Sequence, residues 1–227
     1  GGAGFGTLEA ATLDITINAV NDTPVVTGVD TGGAINDSGT LTDTGSITFT
    51  DADPSDRPTA SEVTKSVNAK KADGTELPLT AEQLAVIEEA FSISAADGNV
   101  NDGTIDWTYD IDAGDLEFLA EGEVVTAVFT ITVDDGQGGT ATQDVTVTLT
   151  GSNDVPEISV VDVTGEITDG SSDLTDSGSI SFTDVDLTDR PTASEVTKSV
   201  TAKKADGTAL LLTTEQLAAI ENAFSIS

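Results

Sequence analysis

"VVTAVFTITVDDGQGGTATQDVTVTLT", Val124 to Thr150, holds two strands and the turn that joins them. Val125, Ala127, Phe129, Ile131 and Val133 occupy every second position and alternate mostly with Thr. A period of two belongs to a strand that buries one face. Val145, Val147 and Leu149 repeat the pattern on the partner strand. Between them "DDGQGG" is hairpin chemistry, because Gly supplies the positive φ that tight turns require. Outward from this hairpin the same period recurs. "TIDWTYDI" alternates Ile105, Trp107 and Tyr109, and "GSITFT" alternates Ile47 and Phe49. Each run ends at a Gly, Asp or Asn cluster. The exception is "LTAEQLAVIEEAF", from Leu79 to Phe91. Thr80 with Gln83 is a capping box. Leu84, Ile87 and Phe91 then fall on one helical face. The fold expected is mainly β, an immunoglobulin-like antiparallel sandwich with one short inserted α-helix per module.

The chain repeats itself. "FTDADPSDRPTASEVTKSV" at Phe49 returns as "FTDVDLTDRPTASEVTKSV" at Phe182. Aligned at an offset of 133, residues 51–94 and 184–227 share 35 of 44 identities, which marks a tandem array rather than a shared motif. "NDTP" at Asn21 matches "NDVP" at Asn153. One complete module is expected over residues 19–150 and the first part of a second, truncated one over 151–227. Residues 1–18, with "ATLDITINAVND", match the "ATQDVTVTLTGSND" end of a module and are expected to be the final strand of a preceding one.

Composition narrows the chemistry. Formal net charge is -33, from 41 acidic and 8 basic side chains, and there is no Cys, Met or His. Such a charge repels phosphate and excludes nucleic acid as a partner. Without Cys or His there are no disulfides, no thiolate or imidazole metal sites and no Ser–His or Cys–His pair. No apolar run reaches membrane-spanning length. Paired catalytic carboxylates need an apolar pocket to separate their pKa values. The few aromatics, one Trp, one Tyr and seven Phe, read as core instead.

Strand polarity gathers the acids. The loop after "SITFT" and the hairpin after "TITV" return to the pole where the linker enters. Asp51, Asp53, Asp56, Asp134 and Asp135 are therefore expected near Asn21 and Asp22. Carboxylates a few ångströms apart repel by kilocalories at moderate dielectric. Hard oxygen donors on flexible loops, without His or Cys, select Ca²⁺. The bland alternative is that these residues form turns and keep the chain soluble. Asp56 has its own alternative, pairing with Arg57 or starting a turn. In the second copy Asp184, Asp186 and Asp189 take the same places. Asn153 and Asp154 stand before them and are expected to share their ion. Glu121 and Glu123, in the "FLAEGE" corner, are expected to face that junction.

All eight basic residues lie in two matching segments: Arg57, Lys65, Lys70 and Lys71, then Arg190, Lys198, Lys203 and Lys204. Lys on an exposed strand deters sheet-to-sheet pairing. The sharper reading is a stripe that meets the acidic face of an identical chain side by side.

Taken together, "SGSISFTDVDLTDRPTASEV", "GTIDWTYDIDAGDLEFLAEGEVVTAVFTITVDDGQGGTATQDVTVTLTGSNDVP" and the spacing between them closely resemble the VCBS repeat. The resemblance implies a cadherin-like β-sandwich in the repeat region of a large bacterial surface protein. Many such proteins are RTX-type adhesins, exported by type I secretion from Gram-negative cells and active in cell adhesion and biofilm formation. The function expected is a non-enzymatic, calcium-stiffened extender that touches neighbouring modules of its own chain. The alternatives are a glycan- or protein-binding module for a host or surface ligand, and a self-assembling extracellular fibre subunit.

Overall fold

The computed structural model describes residue 2 and residues 12–95, 100–160, 162–170 and 174–226. The chain divides into two units, Gly1–Asn153 and Asp154–Ser227, and the division falls inside the "NDVP" linker.

Unit 1 is a sandwich of two four-stranded sheets. Its elements are β1 (Val25–Val29), β2 (Gly32–Asn36), β3 (Thr42–Thr50), β4 (Thr59–Lys70), α1 (Ala81–Glu89), β5 (Phe91–Ala95), β6 (Asp102–Asp110), β7 (Val124–Asp134) and β8 (Thr140–Thr150). One sheet runs β1-β3-β6-β5 and the other β2-β8-β7-β4. Along β7 burial alternates strictly from Val125 to Val133, as its period of two requires. Ile47, Ile105, Trp107 and Tyr109 from one sheet meet Val125, Ala127, Phe129, Val145, Val147 and Leu149 from the other, all fully buried. The Phe91 and Phe129 rings stack across the layers with centroids 4.1 Å apart.

Two features depart from the sequence expectation. First, the sandwich is not wholly antiparallel, because β2 runs parallel to β8. The chain leaves β1 in one sheet and enters β2 in the other across Asp30–Thr31. Trp107 Nε1 donates to the Asp30 carbonyl at 2.6 Å, so this crossing lies against the core. A Cβ added at Gly33 would stand 3.0 Å from Val147 and 3.4 Å from the Trp107 ring, which is why small residues occupy the crossing. Second, Phe91 is not on the helical face. The helix ends at Glu89, and Phe91 opens β5 opposite Tyr109. The capping box does form, with Gln83 N–H on Thr80 Oγ1 at 3.2 Å and Thr80 N–H on Gln83 Oε1 at 2.8 Å. Tyr109 Oη donates to the Ile87 carbonyl at 3.0 Å and fastens the helix to the sheet.

Unit 2 contains β9 (Glu157–Val160) paired antiparallel with β10 (Ile180–Thr183), and α2 (Thr214–Glu221). None of its described apolar side chains is buried; Phe182 is 46% and Phe224 63% exposed. Residues 192–200 repeat the "TASEVTKSV" of β4 yet form no strand. Residues 12–18, expected to be a final strand, also form none, and Leu13, Ile15 and Ile17 are exposed. Residue 1 and residues 3–11 of that expectation lie outside the described residues.

No described helix is long and apolar enough to cross a membrane.

Candidate metal centre

The acidic loop of unit 1 is shaped by its own side chains. Asp51 Oδ1 accepts the Asp53 N–H at 3.0 Å, and the Asp53 carbonyl accepts the Asp56 N–H at 3.1 Å. These successive turns fold the three carboxyls inward. One oxygen from each of Asp51, Asp53 and Asp56 lies within 4.8 Å of the other two. The Arg57 guanidinium donates to the main-chain carbonyls of Pro54 and Asp56 rather than to the Asp56 carboxylate. Arg57 thus closes the loop and leaves the acids uncompensated.

Two further segments reach the same pole. The antiparallel pairing of β1 with β3 sets Val25 opposite Thr50, so the linker arrives beside the loop. Asp22 N–H donates to Asp53 Oδ2 at 2.7 Å. Asn21 Nδ2 donates to Asp135 Oδ2 at 2.9 Å. Asp135 is also held by its own hairpin, its Oδ1 accepting from Gln137 N at 2.6 Å and Gly139 N at 2.9 Å. A Cβ at Gly139 would land on Asp135 Oδ2 and within 3.1 Å of the Thr23 backbone, so the hairpin is sealed against the linker.

The electrostatics are lopsided. Asp51 is 4% exposed and Asp56 8%, and the Oδ2 atoms of both are buried without a hydrogen-bond partner. Buried carboxylate oxygens rarely go unpaired, since desolvation is then uncompensated. Burial first, then the charges of Asp53, Asp51 and Asp135, push the Asp56 carboxyl above its ordinary range. Asp135 moves the other way: the Asn21 amide and the hairpin N–H groups hold it below. The site is thus a preorganised oxygen cage with surplus negative charge.

Unit 2 builds the same tripod from the repeated sequence. Asp184, Asp186 and Asp189 meet within 4.8 Å. Asp186 N–H donates to Asp184 Oδ1 at 3.1 Å, and Asp154 N–H to Asp186 Oδ2 at 2.8 Å. Here Asp186 is the most buried, at 2% exposure, with Oδ1 unpartnered. Burial, opposed by the Asp154 N–H and aided by the neighbouring acids, raises its pKa.

No family model matches the sequence, and no curated protein matches it. Ten chains of solved structures are similar, three of them as follows. A PapD-like domain of human CEP192 has a TM-score of 0.36 and 9% identity, over 64% of this chain and 97% of that one. AggA, the major subunit of aggregative adherence fimbriae type I from Escherichia coli, has a TM-score of 0.33 and 14% identity, over 58% and 97%. The N-terminal Ig1-2 module of the Drosophila receptor protein tyrosine phosphatase DLAR has 0.28 and 14%, over 60% and 56%.

The structure therefore gathers Asn21, Asp22, Asp51, Asp53, Asp56 and Asp135 in unit 1, and Asp154, Asp184, Asp186 and Asp189 in unit 2. Asn153, the counterpart of Asn21, is the last residue of unit 1. Asp134 is not brought in. Strand alternation turns it away from Asp135 into solvent, where its Oδ1 accepts the Gly136 N–H and shapes the turn. Glu121 and Glu123 lie at the far end of β7 from Asp135. Glu123 is buried and its Oε2 accepts the Ala120 N–H at 3.2 Å, while its carbonyl accepts the Gly151 N–H at 3.0 Å. It braces the corner where the chain leaves the sandwich, and Glu121 is exposed there.

Of the Lys stripe, Lys65 sits at a bulge of edge strand β4 and pairs with Asp144 Oδ2 at 2.5 Å, within its own unit. Asp144 Oδ1 accepts from Thr130 Oγ1 at 2.7 Å, and the Lys65 ammonium, with that hydroxyl, lowers its pKa. A bulge plus a charge is how an exposed edge is blunted. Lys70, Lys198, Lys203 and Lys204 are exposed and Lys71 is partly so. One residue that sequence reasoning missed also touches the acidic cluster. Asn101 reads only as turn punctuation in "NDGT", but it bonds Asp51 through its side chain and its carbonyl.

Proposed function

We propose that this chain is a stretch of calcium-stiffened extender from a VCBS-type tandem array, part of a secreted or cell-surface bacterial adhesin, structural rather than catalytic. The reading is carried by the buried, partnerless oxygens of Asp51, Asp56 and Asp186, which face other carboxylates where, at neutral pH, a bound cation relieves both desolvation and repulsion. Asp51, Asp53, Asp56 and Asp135 would hold the ion in unit 1, and Asp184, Asp186 and Asp189 in unit 2. An all-oxygen donor set on loops suits Ca²⁺, which takes six to eight such ligands. Bound there, the ion supplies positive charge that ties loop, hairpin and linker into one body. Asn21 and Asp22 already bond that body, so ordering it also orders the chain that leads in. Repeating the device in each module gives reach with stiffness, which is the task of a stalk.

Thermal unfolding tests this. Ca²⁺ at about a hundredfold over Kd stabilises by about 2.7 kcal/mol, which is roughly 5–10 °C in Tm for a unit of this size. The double variant Asp51→Asn, Asp56→Asn is expected to lose the calcium-induced rise of unit 1. In chelator it should match or exceed the wild type, because repelling charges are gone. A wild-type midpoint that is the same in calcium and in chelator would sink the reading.

A further inference from the structure

We propose that Asn101 is the positioning residue of the unit 1 cation site, an inference that rests on the calcium reading above. The β3–β6 ladder ends with Thr50 opposite Asp102. One step beyond, Asp51 N–H donates to the Asn101 carbonyl at 2.8 Å, and Asn101 Nδ2 donates to the Asp51 carbonyl at 2.9 Å. A carbonyl only accepts, so the orientation of the Asn101 amide is fixed. A single residue therefore engages both main-chain polar groups of Asp51. With its N–H and its C=O pinned, the Asp51 Cα–Cβ bond has one direction. That direction sets Oδ2 in the buried tripod, where it has no partner. The corresponding acid of unit 2, Asp184, is only partly buried, although its tripod also closes within 4.8 Å. The close approach of the three acids thus recurs with the local turns, and at Asp51 the Asn101 clamp also fixes the main chain that carries the carboxyl. The residues that orient ligands from behind govern metal affinity, and losing one weakens binding by about 10- to 100-fold.

The test titrates Ca²⁺ calorimetrically into the full 227-residue chain carrying Asp186→Asn, which silences the unit 2 tripod. Added to that background, Asn101→Ala is expected to weaken binding by about 10- to 100-fold. Its midpoint in chelator should fall by no more than about 4 °C, the worth of one hydrogen bond in a unit of this size. Asn101→Gln keeps the donor on a longer arm and should recover part of the affinity. Unchanged affinity in Asn101→Ala overturns the proposal. So does a larger fall of the midpoint in chelator that Asn101→Gln fails to repair, since the residue would then be holding the fold. A parent chain that binds no Ca²⁺ at all is a separate failure, that of the calcium reading itself.

Discussion

At Asp56 and Asp135 neighbouring carboxyls are pushed in opposite directions, and acid separates them. Both start from an ordinary value of 3.8. Asp56 is raised in the folded state by burial and by its acidic neighbours. The folded chain then holds that proton more tightly than the unfolded one. Its contribution to stability is fully present below 3.8 and is lost as pH rises through the folded value. Asp186 behaves in the same way. Asp135 is lowered, chiefly by the Asn21 amide. Its contribution is present above 3.8 and disappears as pH falls through its folded value. Asp144, lowered by Lys65, adds to that loss. In chelator, Tm should therefore climb as pH falls from neutrality toward the window just above 3.8, then drop below it. In saturating calcium the climb should vanish, because the ion already does what the proton would do. Thermal melts across pH with and without calcium check this. A chelated protein whose Tm falls steadily from pH 7 downward would show that the tripod is not under electrostatic stress.

The two copies of one sequence separate what is local in an element from what is not. "TASEVTKSV" is strand β4 in unit 1, where β7 pairs with it, and is no strand in unit 2. The capping-box helices persist in both, because their bonds join residues three apart. α1 is additionally held by buried Ile87 and by Tyr109, while α2 buries none of its residues. A cap is worth about 1 kcal/mol, and helices this short are marginal without packing. Thr80→Ala should leave α1 formed and cost unit 1 about 2–4 °C in Tm. Thr213→Ala should abolish α2, seen as lost amide-exchange protection from Leu217 to Asn222. Equal responses in the two helices would show that packing is not what distinguishes them. The same contrast explains what the sequence made legible. The β7–β8 hairpin, the caps and the acid turns are written in residues close along the chain. The pole shared by Asn21, Asp53 and Asp135 is legible as well, because antiparallel pairing follows from short connections. The parallel seating of β2 on β8 was hidden, since "GGAIN" carries no period of its own. Phe91 reads as helical because its spacing from Ile87 fits a helical face, and only the pairing with Tyr109 draws it into a strand. Asp134 looked equivalent to Asp135 until the alternation of β7 assigned them opposite faces. Asn101 could not be singled out, because its role exists only once β3 and β6 are side by side.

For the whole molecule the question is whether charge or a bound ion governs its extension. A net charge of -33 stretches any flexible chain by self-repulsion, and salt relaxes that stretch within a Debye length of about 8–10 Å. A site-bound ion acts differently, because it removes conformations instead of screening them. In unit 2 the Asp154 N–H already bonds Asp186, so the residue that follows the linker's Asn153 is tied to the tripod. Pro156 two residues on restricts the same stretch. Small-angle scattering of the intact chain can tell the two effects apart. In calcium we expect a narrow distribution of sizes, and in chelator a broader one. Sodium chloride matched in ionic strength to the calcium buffer should not reproduce the narrowing. Asp184→Asn with Asp186→Asn should keep the broader distribution even in calcium. If sodium chloride narrows the distribution as calcium does, screening is sufficient and the tripods do not stiffen the chain. If the double variant narrows in calcium like the wild type, the ion acts elsewhere than at Asp184 and Asp186.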